Sequence, residues 1–334
     1  MNIIIPMAGR GSRLRPHTLT VPKPLIPIVG KPVVQRLVED IARVCGQPVE
    51  NVAFVIGDFG KAVEEKLVQV AEGIDAKGHI FYQDQPLGTA HAIACAKDFL
   101  EGKTIVAFAD TLFRTDFTLD TEADGVIWVK QVEDPEAFGV VKYNEDNVIT
   151  DFVEKPSAFV SDLAIIGIYY FREGEKLRDE IQYLLDNDIK DRGEYQITDA
   201  LSNLKDKGAR FVPGSVDEWL DCGNKEVVVD TNSRYMGFIQ DQEELVAASA
   251  KIRNSVIIPP VFIGENARIS GSIVGPNVSV GDNTVIEDSV VRRTLIQEET
   301  HIKEAHLYNA MLGNKVQYQG KPDDVSIGDF SVVK

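Results

Sequence analysis

The sequence predicts an α/β fold: a mostly parallel sheet with helices on both faces, followed by a short β-helix. Three observations point there. Strand-like and helix-like segments alternate from the start to about residue 240. A glycine-rich loop, Gly9-Arg10-Gly11-Ser12-Arg13-Leu14, lies three residues after the apolar run Ile3-Ile4-Ile5. From about residue 250 small apolar residues recur every six positions.

The alternation reads as follows. Asn2–Ile5 is a strand, and Val33–Cys45 is an amphipathic helix. Asn51–Ile56 is a strand and Lys61–Glu72 a helix. His79–Tyr82 is a strand, Ala90–Leu100 a helix and Thr104–Ala109 a strand. Such β/α units build a parallel sheet, and ligands of these sheets sit beyond the carboxyl ends of the strands. The opening loop and Asp110 both lie at such ends. Strand patterns then crowd together at Gly125–Val132, Gly139–Tyr143, Val148–Val153 and Ala164–Phe171, which marks an insertion in the sheet. Lys176–Asn187 and Gln196–Lys207 read as helices, and Lys225–Phe238 as a helix linking two domains. The expected domains are 1–240 and 250–334.

In the second domain Ile257, Ile263 and Ile269, then Val274, Val280 and Ile286, keep a step of six. Neither a helix nor a single strand has that period. A hexapeptide-repeat β-helix does, each six residues making one side of a triangular coil. The register slips between Ile269 and Val274, and the pattern reads as irregular after Val291, so only a few coils are expected.

Composition narrows the function. The 334 residues are 44% hydrophobic, enough for one large core and a smaller one. With 35 Lys plus Arg against 52 Asp plus Glu, the net charge is −17. A surface that acidic speaks against nucleic-acid binding and against docking on anionic lipid. Cys45, Cys95 and Cys222 are far apart and form no C-x-x-C, so neither a disulfide framework nor a zinc site is indicated. No apolar run approaches ~20 residues, and the expectation is a soluble protein of the cytoplasm.

A strand that empties into a glycine-rich loop offers bare backbone N–H groups to phosphates. Arg13 and Lys23 add two cations, a set that suits a nucleoside triphosphate. The loop is not a dinucleotide fingerprint, whose third glycine is here Leu14, and no P-loop string follows the strand. The whole segment G-x-G-S-R-L…P-K-P-L-x-P resembles the signature of the sugar nucleotidyltransferases, most closely the glucose-1-phosphate thymidylyl- and uridylyltransferases. The resemblance covers residues 1 to roughly 240. It implies a Rossmann-like catalytic domain. It also implies transfer of a nucleoside monophosphate from dTTP or UTP to a sugar 1-phosphate, with glucose 1-phosphate expected, and Mg2+ as cofactor.

Residue roles follow from the same resemblance. Ala8, Gly9, Gly11, Ser12 and Arg13 would wrap the triphosphate, and Lys23 would reach its phosphates. Gln83-Asp84-Gln85-Pro86-Leu87-Gly88-Thr89-Ala90 resembles the family's base-reading segment, with Gln83, Pro86 and Gly88 at the nucleotide. Asp110, and Asp221 in Trp219-Leu220-Asp221-Cys222-Gly223, would hold the magnesium. Arg13, Lys23, Asp110 and Asp221 are thus the expected catalytic set. Gly139, Glu154, Lys155 and the backbone of Ile165 would bind the sugar phosphate, Glu154-Lys155-Pro156 matching the E-K-P motif. Arg192–Ala200 resembles a further family segment and reads as helix capping through Thr198 or Asp199. His91 by itself reads as an ordinary helical histidine.

The chain departs from the pattern in four places: Met7 for alanine, Ala8 for the first loop glycine, Ser12 for threonine and Ala109 for the glycine before Asp110. None removes a charge or a metal ligand, so an active enzyme is expected. The altered loop motivates the rival of a regulatory protein that binds nucleotide sugars without turnover. A mannose-1-phosphate guanylyltransferase is a rival among enzymes. The C-terminal region resembles the left-handed β-helix of some members. It is too short for the acetyl-transfer site that a few of these carry, so His301 and His306 read as surface residues. Its expected role is homo-oligomerisation.

Overall fold

The computed structural model of the chain describes residues 1–9, 11–115 and 119–321. Arg10 of the glycine-rich loop and the last part of the expected 250–334 domain lie outside these. The chain divides into two compact units. One is Met1–Ile26 with Pro32–Gly223, and the other is Pro27–Lys31 with the chain from Asn224 onward. By this grouping the helix expected at Lys225–Phe238 goes with the second unit.

The first unit opens with β1 (Asn2–Pro6), α1 (Val33–Cys45), β2 (Asn51–Ile56), α2 (Lys61–Glu72), β3 (Lys77–Tyr82), α3 (Thr89–Ala94) and β4 (Thr104–Ala107). The four strands are parallel in the order β3-β2-β1-β4. Ile3, Ile4 and Ile5 are each 0% exposed. Successive side chains point to opposite faces, so both faces of β1 are covered. Ile4, Ala53, Val55 and Val106 pack in one cluster with Ala90 and Ile93 of α3. α1 buries Val34, Leu37, Val38 and Ile41, one stripe at helical spacing, and stops at Gly46 in the left-handed conformation.

The expected helix Ala90–Leu100 is shorter than its pattern. It ends at Ala94, and a single 3₁₀ turn, Lys97–Phe99, follows. The tighter turn sets the Phe99 ring against His79 and Phe81 on β3, at centroid distances of 4.5 and 5.6 Å. The strand expected to reach Ala109 ends at Ala107, and the next residues turn into a strand that periodicity did not reveal.

That strand is β5 (Thr111–Arg114), followed by β6 (Gly125–Gln131), β7 (Val140–Tyr143), β8 (Ile149–Val153), β9 (Leu163–Phe171), α4 (Gly174–Asp186), α5 (Ile197–Asp206), β10 (Phe211–Ser215) and β11 (Glu218–Asp221). β9 runs antiparallel to β4 and carries β6 and β7, so the expected insertion extends the sheet. β10, also absent from the sequence reading, lies parallel on β6. β5 and β11 form a separate antiparallel ribbon that pairs Thr111 with Asp221. Thr111–Arg114 and Glu218–Asp221 have no apolar–polar alternation, and Pro213 and Gly214 interrupt the pattern of β10.

The part of the second unit from Asn224 onward opens with α6 (Lys225–Ile239), whose first N–H groups are capped by Asn224 Oδ1, accepting from Glu226 and Val227 at 3.0 and 3.3 Å. The rest is a left-handed β-helix of three parallel stacks. Ile252, Ile269, Ile286 and Ile302 stand in register in one of them. The coil does not become irregular after Val291: Ile296, Ile302, Leu307 and Leu312 continue the buried ladder. The slip read between Ile269 and Val274 is a corner one residue shorter, made at Gly271 in the left-handed conformation. Other corners use Asn254, Asn266, Asn277, Asn283 and Asn309, also at positive φ, which asparagine tolerates better than most residues. No helix among the described residues is long and apolar enough to cross a membrane.

Candidate active site

The glycine-rich loop leaves the carboxyl end of β1. Gly11 has φ 60° and starts the turn Ser12–Leu14. A side chain at Gly11 would stand 2.7 Å from Lys23 Cβ, so the glycine lets the two cationic segments close on each other. Thr18 Oγ1 donates to Gly11 O at 2.7 Å and holds the loop. Lys23 opens a short 3₁₀ turn, and its Nζ lies 3.1 Å from Asp110 Oδ2. The lysine side chain is only 11% exposed, while that of Asp110 is half exposed.

These groups line a cavity of about 410 Å³. Ala8, Gly9, Gly11, Ser12 and Arg13 come to it from the loop. Lys23 and Asp110 join from their own turns, and Gln83, Pro86 and Gly88 from the segment after β3. Ten of the predicted site residues therefore meet in one place. Asp221 does not line the cavity, but Gly223 two residues on does. The β5–β11 ribbon brings Asp221 opposite Thr111, and Cys222 N–H donates to Asp110 O at 3.0 Å.

Burial pushes the Asp221 carboxyl above the usual range. The charges of Lys23 and Arg13 pull it back, and the negative charge of Asp110 raises it further. Two carboxylates that repel each other offer the hard oxygen donors that a divalent ion such as Mg2+ takes. Among the described residues no group of three metal-binding side chains forms.

Gly88, at φ 117°, leads into α3. A Cβ there would stand 2.4 Å from Tyr195 O and 2.6 Å from Tyr195 N. The closeness has a reason: residues 195–197 clasp the Pro86–Thr89 segment. Tyr195 N–H donates to Leu87 O at 2.9 Å, Ala90 N–H to Tyr195 O at 2.9 Å, and Ile197 N–H to Thr89 Oγ1 at 2.9 Å. Gln83 Nε2 donates to Gly88 O at 3.3 Å and lies 3.1 Å from His91 Nδ1.

The expected sugar-phosphate residues form a second group. Ile165 N–H donates to Gly139 O at 2.8 Å, and Lys155 N–H to Phe138 O at 3.1 Å. Glu154 Oε2 would be 3.1 Å from a Cβ at Gly139, with Ile165 Cδ1 at 3.3 Å. Lys155 Nζ lies 3.5 Å from Glu154 Oε1, and the backbone of Lys155 is in the left-handed region. None of the four lines the cavity described above. The two groups are nevertheless near each other. The buried phenol of Tyr169 is held protonated first by desolvation, then by the charges of both Glu154 and Asp110.

Two residues were missed. Thr198 does not cap α5; Gln196 holds the cap position with no side-chain bond, and Asp199 follows in the first turn. The Thr198 hydroxyl instead donates to Glu154 Oε2 at 3.3 Å. Glu194 lines the cavity. Both lie in the Arg192–Ala200 segment, whose resemblance to a family motif was the available signal.

A family model described as nucleotidyl transferase matches residues 2–236, and one described as GlmU-like, C-terminal hexapeptide matches residues 242–309. The chain is 31% identical over 261 residues to the bifunctional protein GlmU of Methanococcus maripaludis, covering 77% of this chain and 59% of that one. It thus spans about three fifths of that relative's length. It is 29% identical over 288 residues to the glucose-1-phosphate thymidylyltransferase of Streptomyces griseus, covering 79% of this chain and 78% of that one. A crystal structure of UDP-glucose pyrophosphorylase complexed with UDP-glucose superposes with a TM-score of 0.58 at 25% identity, over 71% of this chain and 98% of the other.

Proposed function

This chain belongs to the nucleotidyl transferase family, with a GlmU-like hexapeptide β-helix after the family domain, and we propose that it makes a nucleoside-diphosphate sugar. The reaction is an in-line displacement. An oxygen of the sugar 1-phosphate forms a bond to the α-phosphorus of a nucleoside triphosphate. The bond from that phosphorus to its bridging oxygen breaks, and pyrophosphate leaves with the electron pair. The attacking phosphate is already ionised, so no strong base is required. Placing two polyanions in line and offsetting their charge is the main task.

The observation that carries this reading is the gathering of Gly9, Gly11, Ser12, Arg13, Lys23 and Asp110 around one cavity. Loop N–H groups, Arg13 and Lys23 would hold the triphosphate. Asp110 and Asp221 would hold a magnesium ion, which supplies further neutralisation of phosphate charge when bound. Gln83, Pro86 and Gly88 would receive the base. Glu154 would accept from sugar hydroxyls, Lys155 would pair with the sugar's phosphate, and Gly139 and Ile165 would offer backbone. The expected substrates are dTTP or UTP and glucose 1-phosphate, in keeping with the names of the thymidylyltransferase and pyrophosphorylase it resembles. The β-helix would serve self-association, and the working compartment would be the cytoplasm.

Pyrophosphate release tests the reading. The assay pairs each of dTTP, UTP, GTP, CTP and ATP with glucose, mannose or N-acetylglucosamine 1-phosphate, with magnesium and then with EDTA. Release with one or two nucleotides, abolished by EDTA, is expected. Silence in every combination would leave a binding protein instead.

A further inference from the structure

His91 is outside the family roles described above, yet its ring touches the residue expected to meet the base. Gln83 Nε2 lies 3.3 Å from Gly88 O and 3.1 Å from His91 Nδ1. A carbonyl oxygen only accepts, so the amide nitrogen, not the oxygen, must face Gly88. The same nitrogen then faces His91, and Nδ1 must be the unprotonated ring atom. Burial lowers the pKa of His91 from its ordinary value, in keeping with a neutral ring at pH 7. Both amide hydrogens of Gln83 are therefore taken. Its carbonyl oxygen, Oε1, has no partner among the described residues, and Gln83 lines the cavity.

The geometry points to His91 as a positioning residue for base selection. With Gly88 O it fixes the Gln83 carboxamide so that an acceptor, and not a donor, is offered to the base. The matching class of base has a ring N–H on its pairing edge: uracil, thymine and, by the same chemistry, guanine. Cytosine and adenine carry a lone pair at that ring position, which would oppose Oε1. A site built to accept from a ring N–H discriminates strongly against an edge lacking it. This inference rests on the proposal that the cavity takes a nucleoside triphosphate.

The test compares wild type, His91→Phe and His91→Asn with all five triphosphates. Phe keeps a ring without an acceptor, and Asn places a carbonyl oxygen near the position of Nδ1. Wild type is expected to prefer UTP, dTTP or GTP. In the Phe variant KM for the preferred nucleotide should rise about tenfold, the loss of roughly one hydrogen bond. The preference over CTP and ATP should shrink by a similar factor, with kcat within about twofold. Asn should restore both. A wild-type preference for CTP or ATP overturns the inference. So does a Phe variant with unchanged KM and preference, or an Asn variant that behaves like Phe. Calorimetric binding of the same nucleotides separates this from the reaction itself. A chain that turns over nothing, yet binds with the expected preference and loses it in the Phe variant, keeps the inference and refutes the transferase.

Discussion

Lys23 shows how much one side chain can be asked to do. It is nearly enclosed, ion-paired to Asp110, and lines the cavity together with Arg13. Lys23→Ala is expected to lower kcat/KM by about 10²–10³, the size of losing one preorganised charge contact, with little change in melting temperature. Steady-state pyrophosphate release measures it, and wild-type turnover would remove Lys23 from the site. Gly88 is a separate case, because its role is the absence of a side chain. Gly88→Ala forces a Cβ into the Tyr195 backbone at an unfavourable φ. A loss of about 1–3 kcal/mol in denaturant unfolding, with weakened nucleotide binding, is expected. Cys45 gives a pH test. Burial pushes its thiol up to about 12, so at pH 8 it stays protonated and unreactive. Ellman's reagent at pH 8 should leave Cys45 unlabelled in the native chain and label it after denaturation; fast native labelling would contradict the burial.

At the scale of elements, the two units are built on different logic. In the sheet a strand is defined by its own pattern, and α1, β2 and α2 begin and end where periodicity and punctuation placed them. In the β-helix a strand of two or three residues is defined by the rung above and below. Ile286, 0% exposed, is paired with Ile269 on one side and Ile302 on the other. Ile286→Ala should cost about 2–5 kcal/mol, because neighbouring rungs bonded along their backbones cannot collapse into the gap. Urea denaturation followed by circular dichroism measures this, and a cost below about 1 kcal/mol would mean a coil that yields.

At the scale of the whole molecule, the expected oligomer is checked by mass. Light scattering on the full chain should give a multiple of 36.9 kDa, and a single 36.9 kDa species would end that expectation. Much was legible in the residues themselves. The α/β alternation, the loop Gly9–Arg13 and the six-residue step are local signals, since each depends on backbone preference and spacing within a few turns. The family resemblance added which of those residues belong to one site, and the cavity gathers ten of them. What the linear pattern left open was pairing between distant segments. The β5–β11 ribbon that brings Asp221 to Asp110 is two strands of four residues, more than a hundred positions apart. Thr198 could not be matched to Glu154, nor residues 195–197 to Gly88, from periodicity alone, because those hydrogen bonds join segments whose spacing in the chain carries no period. Local sequence thus decided which elements form and which chemical groups they bear. Tertiary structure decided which of those groups share a cavity, because burial and backbone pairing across the sheet act between residues that only the folded chain makes neighbours.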